Sequence, residues 1–389
     1  MVTFLSKIFI KNYKEYENPE VRRSYGILNS LIGIFLNIML FIGKYFAGII
    51  SGSIAITADA FNNLSDAGSS LITLIGFKLS GKKPDHEHPF GHGRIEYISG
   101  LAVSFIILLM GLELVKSSFM KILHPVFVNT SVLAIAILVI SICVKMYMAL
   151  YNTIISKKIS SAAMKATATD SLSDSAATLV VLISMIFLKM SGINIDGYSG
   201  LLVAVFILFA GFNSAKDTLS PLLGQAPDED FVNKIRDIVM SHEEILGIHD
   251  LVVHDYGPGR LMISLHGEVS GDGNIFELHD AIDRIETELN EKLHCESVIH
   301  MDPIESDDSE IKIMKNKVAQ LLKTIDDEIS IHDFRMVTGP THTNLIFDAV
   351  IPYHTNLSDD EAAKKIKMLI HDTYSECFAV VKIDRSYTN

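Results

Sequence analysis

The sequence predicts a six-helix, all-α membrane domain followed by two small α+β domains in tandem, each with the element order αββαβ. Three observations lead there. Of 389 residues, 49% are hydrophobic and 20% charged, and the mean hydropathy is +0.32, too apolar for an ordinary soluble chain of this length. The apolar residues concentrate before Asp217, in six stretches that meet the roughly 20 residues a bilayer span requires. Beyond Asp217 the chain turns acidic and runs twice through one pattern. Residues 1–217 hold 18 Lys+Arg against 13 Asp+Glu, a net +5, whereas 218–389 hold 15 against 33, a net −18, so the overall −13 joins two unlike halves.

Residues 1–25 carry lysines at short intervals and no cleavable signal pattern, and read as a cytosolic amphipathic lead-in. The membrane domain is assigned to 26–217, with spans near 26–50, 54–80, 97–120, 129–152, 162–189 and 197–216. Only Ser51, Gly52 and Ser53 separate the first two, which makes them a tight helical hairpin. Basic residues gather before the first span (Lys7, Lys11, Lys14, Arg22, Arg23), between the second and third (Lys82, Lys83, Arg94) and between the fourth and fifth (Lys157, Lys158, Lys165). Counted by the positive-inside rule, both termini are cytosolic and the chain is a multi-pass protein of the cell membrane.

After a linker from Pro221 to Pro227, residues 218–304 read as helix 230–242, strand 249–256, a Gly257-Pro258-Gly259 turn, strand 260–269, helix 275–293 and strand 296–302. Strands alternate apolar and polar residues, and helices show 3.6-residue spacing, as in Phe231, Ile235 and Ile238. Residues 305–389 repeat the order: helix 310–325, Ile331-His332-Asp333-Phe334, a Gly339-Pro340 turn, strand 343–352, helix 358–375 and strand 378–384. The copies align at an offset of 83 for Ile248-His249-Asp250-Leu251 and of 82 for Gly257-Pro258.

Acidic residues within the apolar segments carry the functional signal, because a carboxylate in hydrocarbon is costly and marks a pathway or a site. Asp59 and Asp66 lie in the second span, Asp170 and Asp174 in the fifth. The run Asn62-Asn63-Leu64-Ser65-Asp66 matches Asp170-Ser171-Leu172-Ser173-Asp174 at an offset of 108. Each copy puts two oxygen-bearing side chains at i and i+4, a turn apart on one face. Flanking Ala, Gly and Ser let the backbones approach, so Asn62, Asp66, Asp170 and Asp174 are expected to surround one point in mid-membrane. Asp59, a turn nearer the outer end, reads equally as a structural hydrogen-bonding group.

This doubled motif, the Ser-Gly-Ser-Ile-Ala stretch before it and the Pro-Phe-Gly-His-Gly-Arg loop after it resemble the cation diffusion facilitator family of divalent-metal exporters, from about residue 20 to 304. The resemblance implies a homodimer with six spans, a cytosolic ferredoxin-like domain for dimerisation and metal binding, proton-coupled export, and Asn62, Asp66, Asp170 and Asp174 as the transport site. It does not explain a second ferredoxin-like copy, which reads as structural or as part of a dimer interface. Zinc-type members place histidine among those four ligands; here none of the 15 histidines falls in an expected span, and the hard oxygen set resembles the manganese-exporting branch. The expected cargo is therefore Mn2+ ahead of Zn2+, Fe2+ and Co2+, with no cofactor. With no imidazole present, crowded carboxylates are left to carry the exchanged protons.

Two further sites follow from the same resemblance. Asp85, His88 and His92 in the loop after the second span are expected to hold an ion or to order the loop, while His86 and Glu87 face solvent. In the first cytosolic copy His249, His266, His279, His300 and Asp302 match the family's metal positions. In the second copy Asp348 and Lys382 stand in place of His266 and His300, and only His332 and Asp384 persist. The alternatives are export of Zn2+, Fe2+ or Co2+, or a membrane metal sensor that moves nothing. Enzyme chemistry is not expected: the Gly-x-Gly-Asp and Tyr-Asp runs of an intramembrane aspartyl protease are absent, and so is a Walker-type phosphate loop for ATP. The acidic half would repel nucleic acid, and Cys143, Cys295 and Cys377 have no metal-binding or disulfide spacing.

Overall fold

The computed structural model describes residues 2–16, 18–51, 54–124, 132–191, 195–304, 309–339, 342–352, 355 and 357–386. A short helix α1 (Val2–Phe9) precedes six long ones: α2 (Pro19–Ser51), α3 (Ile54–Ser80), α4 (Ile95–Leu123), α5 (Val132–Lys158), α6 (Ala162–Ser191) and α7 (Asp196–Leu219). Among the described residues, segments of α2, α4, α5 and α7 are long and apolar enough to cross a membrane by length and composition. Helices α3 and α6, of 27 and 30 residues, are as long but carry the carboxylates and runs of Ser and Thr that lower their hydropathy. Those polar groups face protein: Asn63, Asp66, Ser69, Ser70 and Thr73 on α3 and Thr167, Asp170, Ser171, Ser173 and Ser175 on α6 are all buried.

Helix α2 packs along α3, α4 along α7 and α5 along α6. Close approach relies on small residues. A Cβ at Gly100 of α4 would lie 2.9 Å from the Cα of Ala163 on α6, a gap that only glycine leaves. Side-chain hydroxyls then pair across helices, Thr73 with Thr167 at 3.0 Å and Ser104 with Ser214 at 2.9 Å. At one end of the bundle Arg22 of α2 forms a two-pronged pair with Glu96 of α4, one prong at 2.8 Å, and also donates to the Ile159 carbonyl; Ser161 donates to the same carboxylate. This buried group ties α2, α4 and the α5–α6 turn together.

The chain divides into two compact units, Met1–Gln225 with Asp255–Arg260, and Ala226–His254 with Leu261–Asn389. The second unit contains α8 (Glu229–Met240), β1 (Gly247–Asp255), β2 (Leu261–Ser270), α9 (Ile275–Leu293) and β3 (Cys295–Ile304), then α10 (Ser309–Leu322), β4 (Ser330–Thr338), β5 (Thr343–Pro352), α11 (Asp359–Thr373) and β6 (Cys377–Ser386). The sheets have the orders β1-β2-β3 and β4-β5-β6, with β2/β3 and β5/β6 parallel and β4/β5 antiparallel. Each copy has its own core, Ile235, Ile263, Leu265, Ile285 and Leu289 in the first and Val318, Leu322, Leu345, Phe347, Ile366 and Ile370 in the second. Both copies therefore fold as α+β layers, and although residue 304 separates them in sequence they share one unit. Helix α11 starts with a capping box from Ser358 and Glu361.

Breaking the Arg22–Glu96 pair leaves a buried guanidinium uncompensated. Glu96→Ala is expected to destabilise the membrane unit by about 3–5 kcal/mol, and the double variant Arg22→Met/Glu96→Ala by less. Thermal unfolding in detergent measures both; equal losses would show that the pair is not coupled.

Candidate metal centres

Three carboxylates converge inside the helical bundle. One oxygen each from Asp66 of α3 and Asp170 and Asp174 of α6 lie within 4.8 Å of one another, and Asp66 and Asp170 are 3% and 4% exposed. A fourth group holds them together. Lys145 of α5, itself 3% exposed, donates to Oδ2 of Asp66 at 2.6 Å and to Oδ2 of Asp174 at 2.7 Å. Ionised, three carboxylates and the contacting ammonium leave a formal −2, the charge a divalent cation cancels. One oxygen of Asp170 has no hydrogen-bond partner, which is rare for a buried polar atom and marks it as available to a ligand.

Of the two asparagines in the second-span motif, the structure buries one. Asn62 is exposed, whereas Asn63 is buried and donates to Asp66 Oδ2 at 3.3 Å. The reason is the orientation of α3: its buried stripe runs Ala60, Asn63, Asp66/Ala67, Ser70, Thr73, Phe77, a 3.6-residue pattern that puts position 63 inside and position 62 out. On α3 the buried polar pair is therefore Asn63 and Asp66, at i and i+3. Lys145 was not anticipated at all, although its signal was present: one lysine in the middle of an otherwise apolar expected span, a position that demands a buried partner. Lys44 of α2 is a second buried ammonium. The Asp59 side chain lies outside the described residues.

In the loop between α3 and α4, Asp85 gathers its neighbours. His88 Nδ1 is 3.3 Å and His92 Nε2 3.4 Å from its two oxygens, and the three ligand atoms lie within 4.8 Å of one another. A hydrogen bond from Lys82, reinforced by the His88 backbone N–H, holds Asp85 well below the usual carboxylate range. His92 Nδ1 is buried without a partner, while His86 and Glu87 are exposed.

In the first cytosolic copy Asp302 collects His249, His266 and His300, at 3.3, 2.8 and 3.2 Å. The parallel register sets His266 of β2 beside His300 of β3. His279 does not join them. It stands on α9 with 70% of its side chain exposed, paired with Asp283 at 3.4 Å, because its position falls on the helix face away from Ile282 and Ile285, which pack into the core.

Comparison with known proteins agrees with this architecture. Residues 30–223 match the cation efflux transmembrane domain and residues 227–304 the cation efflux protein cytoplasmic domain. An uncharacterised transporter of Methanocaldococcus jannaschii is 28% identical over 293 residues, 75% of this chain and all of that protein. The manganese efflux system protein MneS of Bacillus subtilis is 28% identical over 72% of this chain and 96% of its own, and the cation-efflux pump FieF of Salmonella newport 27% over 73% and 95%. Helix α10 and everything after it lie beyond the matched cytoplasmic domain.

The roles of the two asparagines are separable. Asn63→Ala is expected to weaken divalent-cation binding by about fivefold, the worth of roughly one hydrogen bond of about 1 kcal/mol, and Asn62→Ala to change it by less than about twofold. Calorimetric titration of the purified variants decides, and the opposite ranking would return Asn62 to the site.

Proposed function

The chain belongs to the cation efflux family, whose members are multi-pass metal transporters and not enzymes, and we propose that within it this protein exports a hard divalent cation, Mn2+ first, by proton-coupled antiport as a homodimer. The observation that supports the reading most directly is the convergence of Asp66, Asp170 and Asp174 around Lys145 within the helical bundle. Carboxylate and amide donors favour hard ions over zinc, although raw affinity for Mn2+ is low in the divalent series and geometry has to provide the preference. The likeness to a manganese efflux protein adds to the case.

In this reading cation binding is an exchange. Two of the carboxylates that a metal would take, Asp66 and Asp174, already accept from Lys145 through Oδ2, so the ammonium withdraws as the metal enters from the cytosol. Crowded carboxylates that are protonated in the outward-facing state then drive release, and rocking of the helices alternates access between the two faces. The histidine loop beside Asp85 is proposed as a staging site near the cytosolic membrane face, and the first cytosolic copy, named as a dimerisation element in the resemblance above, as the contact between protomers. Both termini are placed in the cytosol.

Proteoliposomes loaded with a pH indicator test the reading. Wild-type protein is expected to move Mn2+ with opposite acidification, and Asp174→Ala to lose at least about 99% of that flux, as expected for removal of a ligand from a buried charged site. Metal flux with no pH change would remove the antiport, and binding without flux would favour the sensor. Lys145→Met is expected to hold Mn2+ on the order of tenfold more tightly, equivalent to about 1.4 kcal/mol, and to turn over more slowly; weaker binding would show that the lysine assists the metal instead of competing with it.

A further inference from the structure

The two αββαβ copies meet at equivalent residues. His249 of β1 and His332 of β4 hold the same place in the repeat, and their rings stack with centroids 4.3 Å apart. Like residues touch where a local two-fold axis passes, as in an isologous dimer. Next to each histidine is an aspartate in left-handed backbone, Asp250 at φ 52° and Asp333 at φ 51°, and in β4 the register shifts between His332 and Arg335. A bulge of this kind turns consecutive side chains toward one side. Asp250 of β1 lies 3.7 Å from His249 and 3.5 Å from His332 of the other copy.

These imidazoles are unusually placed. The His332 side chain is 5% exposed and that of His249 9%, yet neither ring nitrogen of either residue makes a hydrogen bond. Carboxylate oxygens stand around them at 3.3 to 3.8 Å without donor geometry, Asp302 beside His249 and Asp250 and Asp384 beside His332. Buried polar atoms that converge but do not bond to one another are arranged for a third party. The groups line a cavity of about 650 Å3 between the copies.

We propose that His249, Asp250 and His332 bind a first-row divalent transition-metal ion at the junction of the two copies, so that the second copy supplies a ligand. Their ligand atoms lie within 4.8 Å of one another, and metal–ligand bonds of about 2.0–2.2 Å require them to draw in by roughly 1 Å. Two imidazoles and a carboxylate suit Zn2+ or Co2+ better than Mn2+, so this site prefers an ion different from the one the all-oxygen site favours. The second copy has a cluster of its own, His332, Asp348 and Asp384, but it does not repeat the imidazoles of the first. Lys382 bridges Asp348 and Asp384 at 3.2 and 3.1 Å, putting an ammonium where the first copy has His300. An ion at the junction binds only the docked arrangement of the copies and therefore stabilises it, which makes the pair a sensor of cytosolic metal.

The test uses the full chain in detergent with His88 and His92 replaced by Ala, so that the loop adds no imidazole, titrated with Co2+ and followed by visible absorption and bound-metal analysis. His332→Ala is expected to weaken one imidazole-ligated Co2+ equivalent by more than tenfold, and Asp250→Asn, isosteric and partly exposed, to do the same without loss of fold; His371→Ala on the exposed face of α11 is the control. Titrations of His332→Ala and Asp250→Asn that match the parent, or a signal abolished by His266→Ala and indifferent to His332→Ala, would place the ion in the first copy alone and overturn the proposal. Mn2+ flux measured on His332→Ala and Asp250→Asn in the chain that keeps His88 and His92 separates this outcome from any failure of the carboxylate site.

Discussion

Placing three carboxylates within 4.8 Å of one another inside a helical bundle is the constraint on which the membrane unit depends. Unshielded, such a cluster would push its helices apart, since even at a moderate effective dielectric two like charges 4 Å apart repel by about 4 kcal/mol. Lys145 offsets that repulsion by contacting Asp66 on α3 and Asp174 on α6 at once. It joins two helices that contact each other little to a third, α5, which packs along α6. Arg22 and Glu96 do the same for α2, α4 and the α5–α6 turn. Around these charged groups the bundle packs an apolar core that includes Tyr25, Phe77, Met148 and Met164, with small residues and hydroxyls where helices approach closely.

The same device recurs outside the membrane. In the second cytosolic copy Lys382 sits between Asp348 and Asp384, much as Lys145 sits between Asp66 and Asp174, and in the first copy the equivalent places hold His266, His300 and Asp302. A lysine on such a carboxylate pair is a cation that cannot diffuse away. Where the ammonium is buried, its departure leaves a large uncompensated charge, and only another cation makes that departure favourable. Where it is two-thirds exposed, as at Lys382, water takes most of that role.

Much of this was legible in the sequence, and the exceptions have physical causes. The six long helices, both αββαβ runs and the intramembrane carboxylates follow from periodicity and from the cost of charge in hydrocarbon. The repeat singles out Asn62 while the structure buries Asn63, because an internal repeat fixes spacing along a helix but not the rotation of that helix against its neighbours, which the buried stripe through Ala60, Asn63 and Ala67 shows. Lys145 is legible by the rule that marks Asp66, the cost of a charge in an apolar span, but the sequence does not show which acids it meets. The junction of His249 with His332 was not readable, because it is a tertiary contact between repeats, and a sequence offset of 83 says that two residues are equivalent without saying that they touch.

A tethered ammonium also changes what selectivity has to mean at the carboxylate site. Its local concentration is fixed by the chain and not by the cell, in the way a linked ligand has an effective concentration in the millimolar range or above. Every incoming metal ion competes against that constant. An ion that binds oxygen tightly in any geometry displaces the ammonium but is then slow to be displaced by it, whereas an ion of lower raw affinity that suits the coordination can enter and be returned. Mn2+, low in the divalent series, is of the second kind. In the proposed exchange, Lys145 would favour turnover of the weaker-binding ion without any contact that recognises it, and an all-oxygen donor set, which binds zinc less strongly than one with imidazole, is the partner such a mechanism needs.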